Sequence, residues 1–330
     1  MEKNPALVQA APSFRQGNHP LVLIHDGGGT TFGYHCLPSL QRTVYAIHNP
    51  HFYSGRPWPG GIHAMARIYI ELIRSSIPAG KFILGGWSFG GLVSLEIASI
   101  LSREQTDLTV LGLVMMDSIY PGSVKKHTSN ITHEKPFLGD RCRPEIRMLC
   151  SAMMKQSARM AEQWEIPTWP RSCDSISMSL KWKTESASVT TQDLTLEALD
   201  SNSDRWSSGT ATPTEDTSKC WTHDDSKIEF DYDDKILERQ QPPRTVLLRC
   251  QEKVPVLPAS TGSETIFRVD VARDSPHLGW EDYDPRLIVA VLDLPGHHYG
   301  LFWPGNVVAT AAQLYSACEM LEAPNRSDVV

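Results

Sequence analysis

This chain has no long hydrophobic run. Nowhere does an apolar stretch reach the roughly 20 residues that a helix needs to cross a bilayer. The opening MEKNPALVQAAPSFRQGNHP also lacks the continuous apolar segment of a secretion signal. Neither a membrane span nor an exported protein is expected. Cysteine is scattered as well: the seven present, at 36, 142, 150, 173, 220, 250 and 318, are odd in number and never spaced Cys-x-x-Cys. That pattern argues against a disulfide framework and against a zinc site, and for reduced thiols in a cytoplasmic protein. Positive charge is short too. A formal net charge of −7 with no basic stripe disfavours a nucleic-acid partner. The glycine-rich loop His25-Asp26-Gly27-Gly28-Gly29-Thr30 is not followed by Gly-Lys-Ser/Thr, and Phe32 stands where Gly-x-Gly-x-x-Gly needs its last glycine. A nucleotide cradle is therefore not expected there. No internal repeat is visible.

What is present points to chemistry. Lys81 to Gly91 reads KFILGGWSFGG: an apolar β-type run meets a glycine cluster, and a long apolar helical pattern follows. Gly86 and Gly90 flank Ser88 at the Gly-x-Ser-x-Gly spacing of a nucleophile elbow. Such a turn holds its serine in a strained conformation, brings the flanking residues close to neighbouring backbone, and aims a helix N-terminus at the hydroxyl.

Around this stretch the chain alternates. A short edge strand is expected at 6–10, and buried-type strands at 21–24, 44–47, 82–84, 110–116, 245–249 and 287–292. Helices are expected from Ile62 to Ile73, from about Phe89 to Arg103 and from about Asn306 to Leu321. Alternation of this kind predicts an α/β fold with a mostly parallel sheet covered by helices on both faces. With 330 residues and a hydrophobic fraction of 41%, one large domain with an insertion, or two domains, can be filled. We expect the core at 1–120 and 242–330. The alternation fails between them, so 121–241 is expected to be an inserted lid. It carries one helix over 148–164 and a flexible Ser/Thr-rich segment at about 171–226.

Active sites on parallel sheets lie at the carboxyl ends of the strands. The loops 25–30, 86–90, 117–121 and 294–300 all fall there. A serine hydroxyl needs a base and the base an orienting acid, in chain order Ser, Asp/Glu, His. His297 and His298 end the last strand and are the candidate bases; His277 reads as a surface residue. The acid is Asp117, or else Asp270 or Asp274 in the loop after the following strand. Asp117 ends a strongly apolar strand, where a carboxylate needs a hydrogen-bonding partner. The glycine-rich loop at 25–30 is placed to supply an oxyanion N–H.

The ordered set LIHDGGGTTFGYHCL, VYAIHNPHF, IHAMARIYIELI, GGWSFGGLVSLEIA, MMDSIYP, PPRTVLLRC and LGWEDYD…LDLPGHHYGLF resembles the thioesterase domains that end fungal polyketide synthases. These belong to the wider thioesterase family of polyketide and nonribosomal peptide assembly lines. The likeness covers about 20–122 and 242–322, and nothing in 171–240. It implies an α/β-hydrolase fold, with Ser88 as acyl-accepting nucleophile, Asp117 as acid and His298 as base. It also suggests the Gly27 and Phe89 N–H groups as oxyanion donors. The function it implies is release of an acyl chain from an acyl carrier domain, with no cofactor beyond the partner's phosphopantetheine. A small free ester is the alternative substrate, and a binding role without catalysis is disfavoured by the complete residue set. Cys173-Asp174-Ser175-Ile176 matches a carrier's attachment tripeptide but lacks a carrier's helical surroundings.

Overall fold

The apolar runs become the sheet. The computed structural model describes residues 3–15, 17–104, 106–126, 131–132, 143–169, 241–255 and 266–323. They lie in one unit, Met1–Trp169 with Arg239–Val330. The strands are β1 (Ala6–Gln9), β2 (Leu21–Ile24), β3 (Val44–Ile47), β4 (Gly80–Trp87), β5 (Leu108–Met116), β7 (Thr245–Glu252) and β9 (Ile288–His297). They form one seven-stranded sheet in the order β1-β3-β2-β4-β5-β7-β9. Only β1 runs antiparallel to its neighbour. Two further strands, β6 (Ile131–Thr132) and β8 (Ile266–Phe267), pair in parallel as a separate ribbon that the sequence pattern did not suggest.

Side chains alternate across the pleat, and each set finds its own helices. Val22, Ile24, Phe82, Leu84, Leu113 and Met115 pack with α2 (Gly61–Ser76) and α3 (Phe89–Arg103). Their neighbours Leu21, Leu23, Ile83, Val114 and Met116 face the other way, against the C-terminal helix Val307–Glu322. The expected mostly parallel sheet with helices on both faces is therefore the observed one. The short helix α1 (Phe32–His35) follows the glycine-rich loop.

Within the expected insertion the described parts are α4 (Pro121–Lys126), β6 and α5 (Pro144–Gln163). The C-terminal helix is α6. Helix α5 begins a turn earlier than its apolar pattern suggested, with proline in its first turn, where no intrahelical N–H is needed. The Ser/Thr-rich stretch 171–226 and Cys173–Ile176 lie outside the described residues.

Two expectations change. Strand β9 continues past Leu292 through Pro295 to His297. It is the edge strand, so a residue without an N–H fits. The stretch expected to be the loop that carries Asp270 and Asp274 has a buried interior: Leu278 and Trp280 are fully enclosed, and the Trp280 indole donates to Ser118 O at 2.7 Å. Among the described residues no helix is long and apolar enough to cross a membrane.

Candidate active site

Strand β4 ends at Trp87 and α3 begins at Phe89, so Ser88 has to make the whole turn alone. It does so with φ 56° and ψ −115°. That backbone region is costly for a residue with a side chain, on the order of 1–3 kcal/mol, and survives only where the surroundings impose it. Here they do. Ser88 N–H donates to Met116 O at 2.8 Å, which ties the elbow to the end of β5. The flanking glycines have a steric reason. A Cβ on Gly90 would lie 2.5 Å from Ile24 O, and one on Gly86 would lie 2.6 Å from the Gly90 carbonyl carbon. Only a bare backbone lets α3 enter this close to β2 and β4.

Asp117, the residue after β5, also has positive φ, at 50°. It is fully buried and saturated with donors. Oδ1 accepts the Cys250 N–H at 2.8 Å and Arg273 Nη1 at 2.5 Å. Oδ2 accepts Arg273 Nη2 at 2.7 Å and His298 Nδ1 at 2.8 Å. Burial alone would raise this carboxyl; the hydrogen bonds from Arg273 and His298 outweigh it and hold Asp117 well below the ordinary carboxylate range. A carboxylate can only accept, so the proton of His298 sits on Nδ1, which leaves Nε2 as an acceptor.

The rival residues are placed elsewhere. His297 turns its ring edge-on to Trp303, with centroids 5.1 Å apart. Asp274 is exposed and meets Lys253 Nζ at 2.9 Å. Asp270 is buried but bonds Arg273 Nε and the Val254 N–H. The two adjacent histidines separate because His297 is the last residue of β9 while His298 opens the tight turn that follows it.

Ser88 and His298 line one cavity of about 480 Å³, within the usual range for small-molecule sites. Asp26, Gly27 and Ile119 line it from loops after the strands, Phe89 and Leu92 from α3 and Pro121 from α4, and α5 adds Met154, Ser157 and Ala158. The loops expected at one edge therefore do converge. Gly27 and Phe89, whose N–H groups are the expected oxyanion donors, line this cavity together with Ser88. Gly29 (φ 81°) is the glycine this loop's conformation demands; at Gly27 a Cβ would meet nothing closer than 3.7 Å. Ser157 Oγ donates to Gly27 O at 3.1 Å and joins α5 to the loop.

The family model for the thioesterase domain matches residues 19–163. A probable thioesterase of Purpureocillium lilacinum, lcsE, is 34% identical over 92% of this chain and 89% of its own length. A probable thioesterase of Curvularia clavata is 31% identical over 98% of this chain and 97% of its own length. This chain belongs to the thioesterase family. The nonribosomal peptide synthetase imqB of Aspergillus flavus matches 97% of the thioesterase at 29% identity, using 8% of its own length. Among solved structures, the NocB thioesterase domain in covalent complex with a fluorophosphonate nocardicin G analog superposes with a TM-score of 0.52. It covers 91% of this chain and 94% of its own, at 18% identity, and supports the fold.

Two residues of the thioesterase's site escaped the sequence reading. Arg273 lies in a stretch that looks like solvated loop, yet it is only 6% exposed. Asp26 was read only as part of a glycine-rich loop. It lines the cavity, accepts the Gly28 N–H at 3.0 Å, and has its carboxyl pushed up to about 6, chiefly by burial. Its neighbour His25 is fully enclosed between Asp26 O and the Tyr69 hydroxyl, and burial pushes it down to about 4. Neither had a signal in spacing: a glycine-flanked Asp and a loop Arg are most often surface residues.

Proposed function

We propose that this thioesterase is a serine hydrolase that takes a polyketide-like acyl chain from the phosphopantetheine thiol of an acyl carrier domain and releases it. Ser88 Oγ attacks the thioester carbonyl carbon while His298 Nε2 takes its proton. The oxygen that becomes negative is met by the Gly27 and Phe89 N–H groups. The carbon–sulfur bond then breaks, and His298 returns the proton to the departing thiolate. Water, or a nucleophile within the chain, repeats the sequence on the Ser88 ester and frees the product. Asp117 holds the imidazole in the tautomer this requires. The reaction so written uses no cofactor, and the scattered cysteines suit a reducing compartment such as the cytoplasm.

The observation that carries this reading is the convergence of a strained serine, an Asp117–His298 pair and the backbone of Gly27 and Phe89 on one cavity. The match to a segment of a peptide synthetase supports a carrier-bearing synthase as partner. Intact-protein mass spectrometry after offering acyl-thioesters of varied length should show a mass gain on the wild type and none on Ser88→Ala. Undiminished turnover by Ser88→Ala would sink the proposal. Oxygen esters of equal chain length test the small-ester alternative: faster turnover of the ester than of the thioester would favour it.

A further inference from the structure

The Arg273 guanidinium has five N–H groups, and each has an acceptor. Nε donates to Asp270 Oδ1 at 3.1 Å. Nη1 donates to Asp117 Oδ1 and, at 3.0 Å, to Cys250 O. Nη2 donates to Asp117 Oδ2 and, at 3.2 Å, to Val269 O. One cation thus stands between two buried carboxylates, and the Asp117 carboxylate in turn holds His298. The other titratable groups around the pair are Asp26 after β2, Cys250 and Glu252 of β7, Asp270, and His297 and Tyr299 beside His298. Among the described residues none of these is a second fixed cation on Asp117.

In a water-poor interior this placement has two consequences. The forked donors fix the plane of the carboxylate, so its second oxygen points where His298 Nδ1 lies. The positive charge also offsets part of the negative charge that would otherwise stabilise an imidazolium. We propose that Arg273 is a positioning residue of the Asp117–His298 pair, setting both the direction in which the carboxylate holds the imidazole and how strongly it favours the protonated ring. The proposal rests on the assignment of Ser88, Asp117 and His298 made above. Its consequence is an imidazole held by Nδ1 against a carboxylate of fixed plane and partly neutralised charge, with Nε2 left to accept the serine's proton. Asp270 belongs to the device: it holds Nε and accepts the Val254 N–H at 2.7 Å, anchoring the clamp to the segment after β7.

The test uses the full chain. Arg273→Met leaves two buried carboxylates without a counter-ion, and Arg273→Met/Asp270→Asn removes one charge of each sign and guards against a variant that fails to fold. Circular dichroism melts identify the folded variants. The rate of Ser88 labelling by a fluorophosphonate, followed from pH 5 to 9, reads the serine–histidine–aspartate unit without a carrier thioester. In the folded variant the acid limb should move upward by about one pH unit or more, with about a tenfold slower labelling at pH 6. Turnover of a small acyl-thioester should lose kcat with little change in KM. A folded double variant whose acid limb stays at the wild-type position, however much its rate falls, would overturn the proposal. A wild type that the probe does not label at Ser88 would overturn the assignment of the nucleophile instead, and the two failures are distinct.

Discussion

Gly90→Ala tests the geometry on which the site depends. The added Cβ would lie 2.5 Å from Ile24 O and 2.7 Å from His25 O, backbone atoms of the last residue of β2 and of the residue after it. Neither can rotate away, so either α3 or the end of β2 has to shift by the missing half-ångström or more. Overpacking of a tight site costs about 1–3 kcal/mol, and in a chain of this size each kcal/mol lowers Tm by roughly 2–4 °C or somewhat less. A fall of several degrees is expected in a melt followed by circular dichroism. The functional loss should be larger, because the shift is applied at the residue that follows Ser88-Phe89. A displacement of about 1 Å at a reacting atom can cost on the order of 10² in rate. Fluorophosphonate labelling and thioester turnover should both fall by that order. Gly305→Ala is the control, since a Cβ there meets nothing within 4 Å. If Gly90→Ala kept the wild-type Tm and labelling rate, the steric account of the elbow would be wrong.

Asp117→Asn should lower kcat by about 10⁴, since an amide presents the wrong partner to His298 Nδ1. Because this carboxyl is held below its ordinary range in the folded chain, its contribution to stability is complete above about pH 4 and lost as pH falls further. Urea midpoints of wild type and Asp117→Asn should therefore differ most near neutrality and converge in acid. Asp26 has the opposite sign. Its carboxyl is raised to about 6, so the folded state binds the extra proton, and the ionised form costs stability above pH 6. Asp26→Asn should raise the urea midpoint at pH 7.5, by about 1–3 kcal/mol in stability, and the gain should shrink as pH falls through 6. A gain that grows on acidification would refute burial as the cause.

The sequence by itself determined the sheet, the elbow and the reactive edge, because each is written in residues that are neighbours along the chain. A compact apolar run such as Leu21–Ile24, ending in a glycine-rich loop, is the kind that makes a strand buried on both faces, and Gly86 and Gly90 flank Ser88 where a Cβ would clash with backbone. The limits of β9 were harder to see, since Pro295 ends a central strand but not an edge one. Choosing Asp117 over Asp270 and His298 over His297 needed a family resemblance at the level of sequence. In the folded chain Asp117 and His298, 181 residues apart in sequence, lie 2.8 Å apart in space. Strands β6 and β8, two residues each, are too short to carry a period. Arg273 is the clearest case of what only the fold could decide. Alone, a charged residue among Asp, Ser and Pro reads as solvated surface. It is buried because two carboxylates, one of them 156 residues away, meet there and need a cation. The energy of such a group lies in partners that local sequence does not contain.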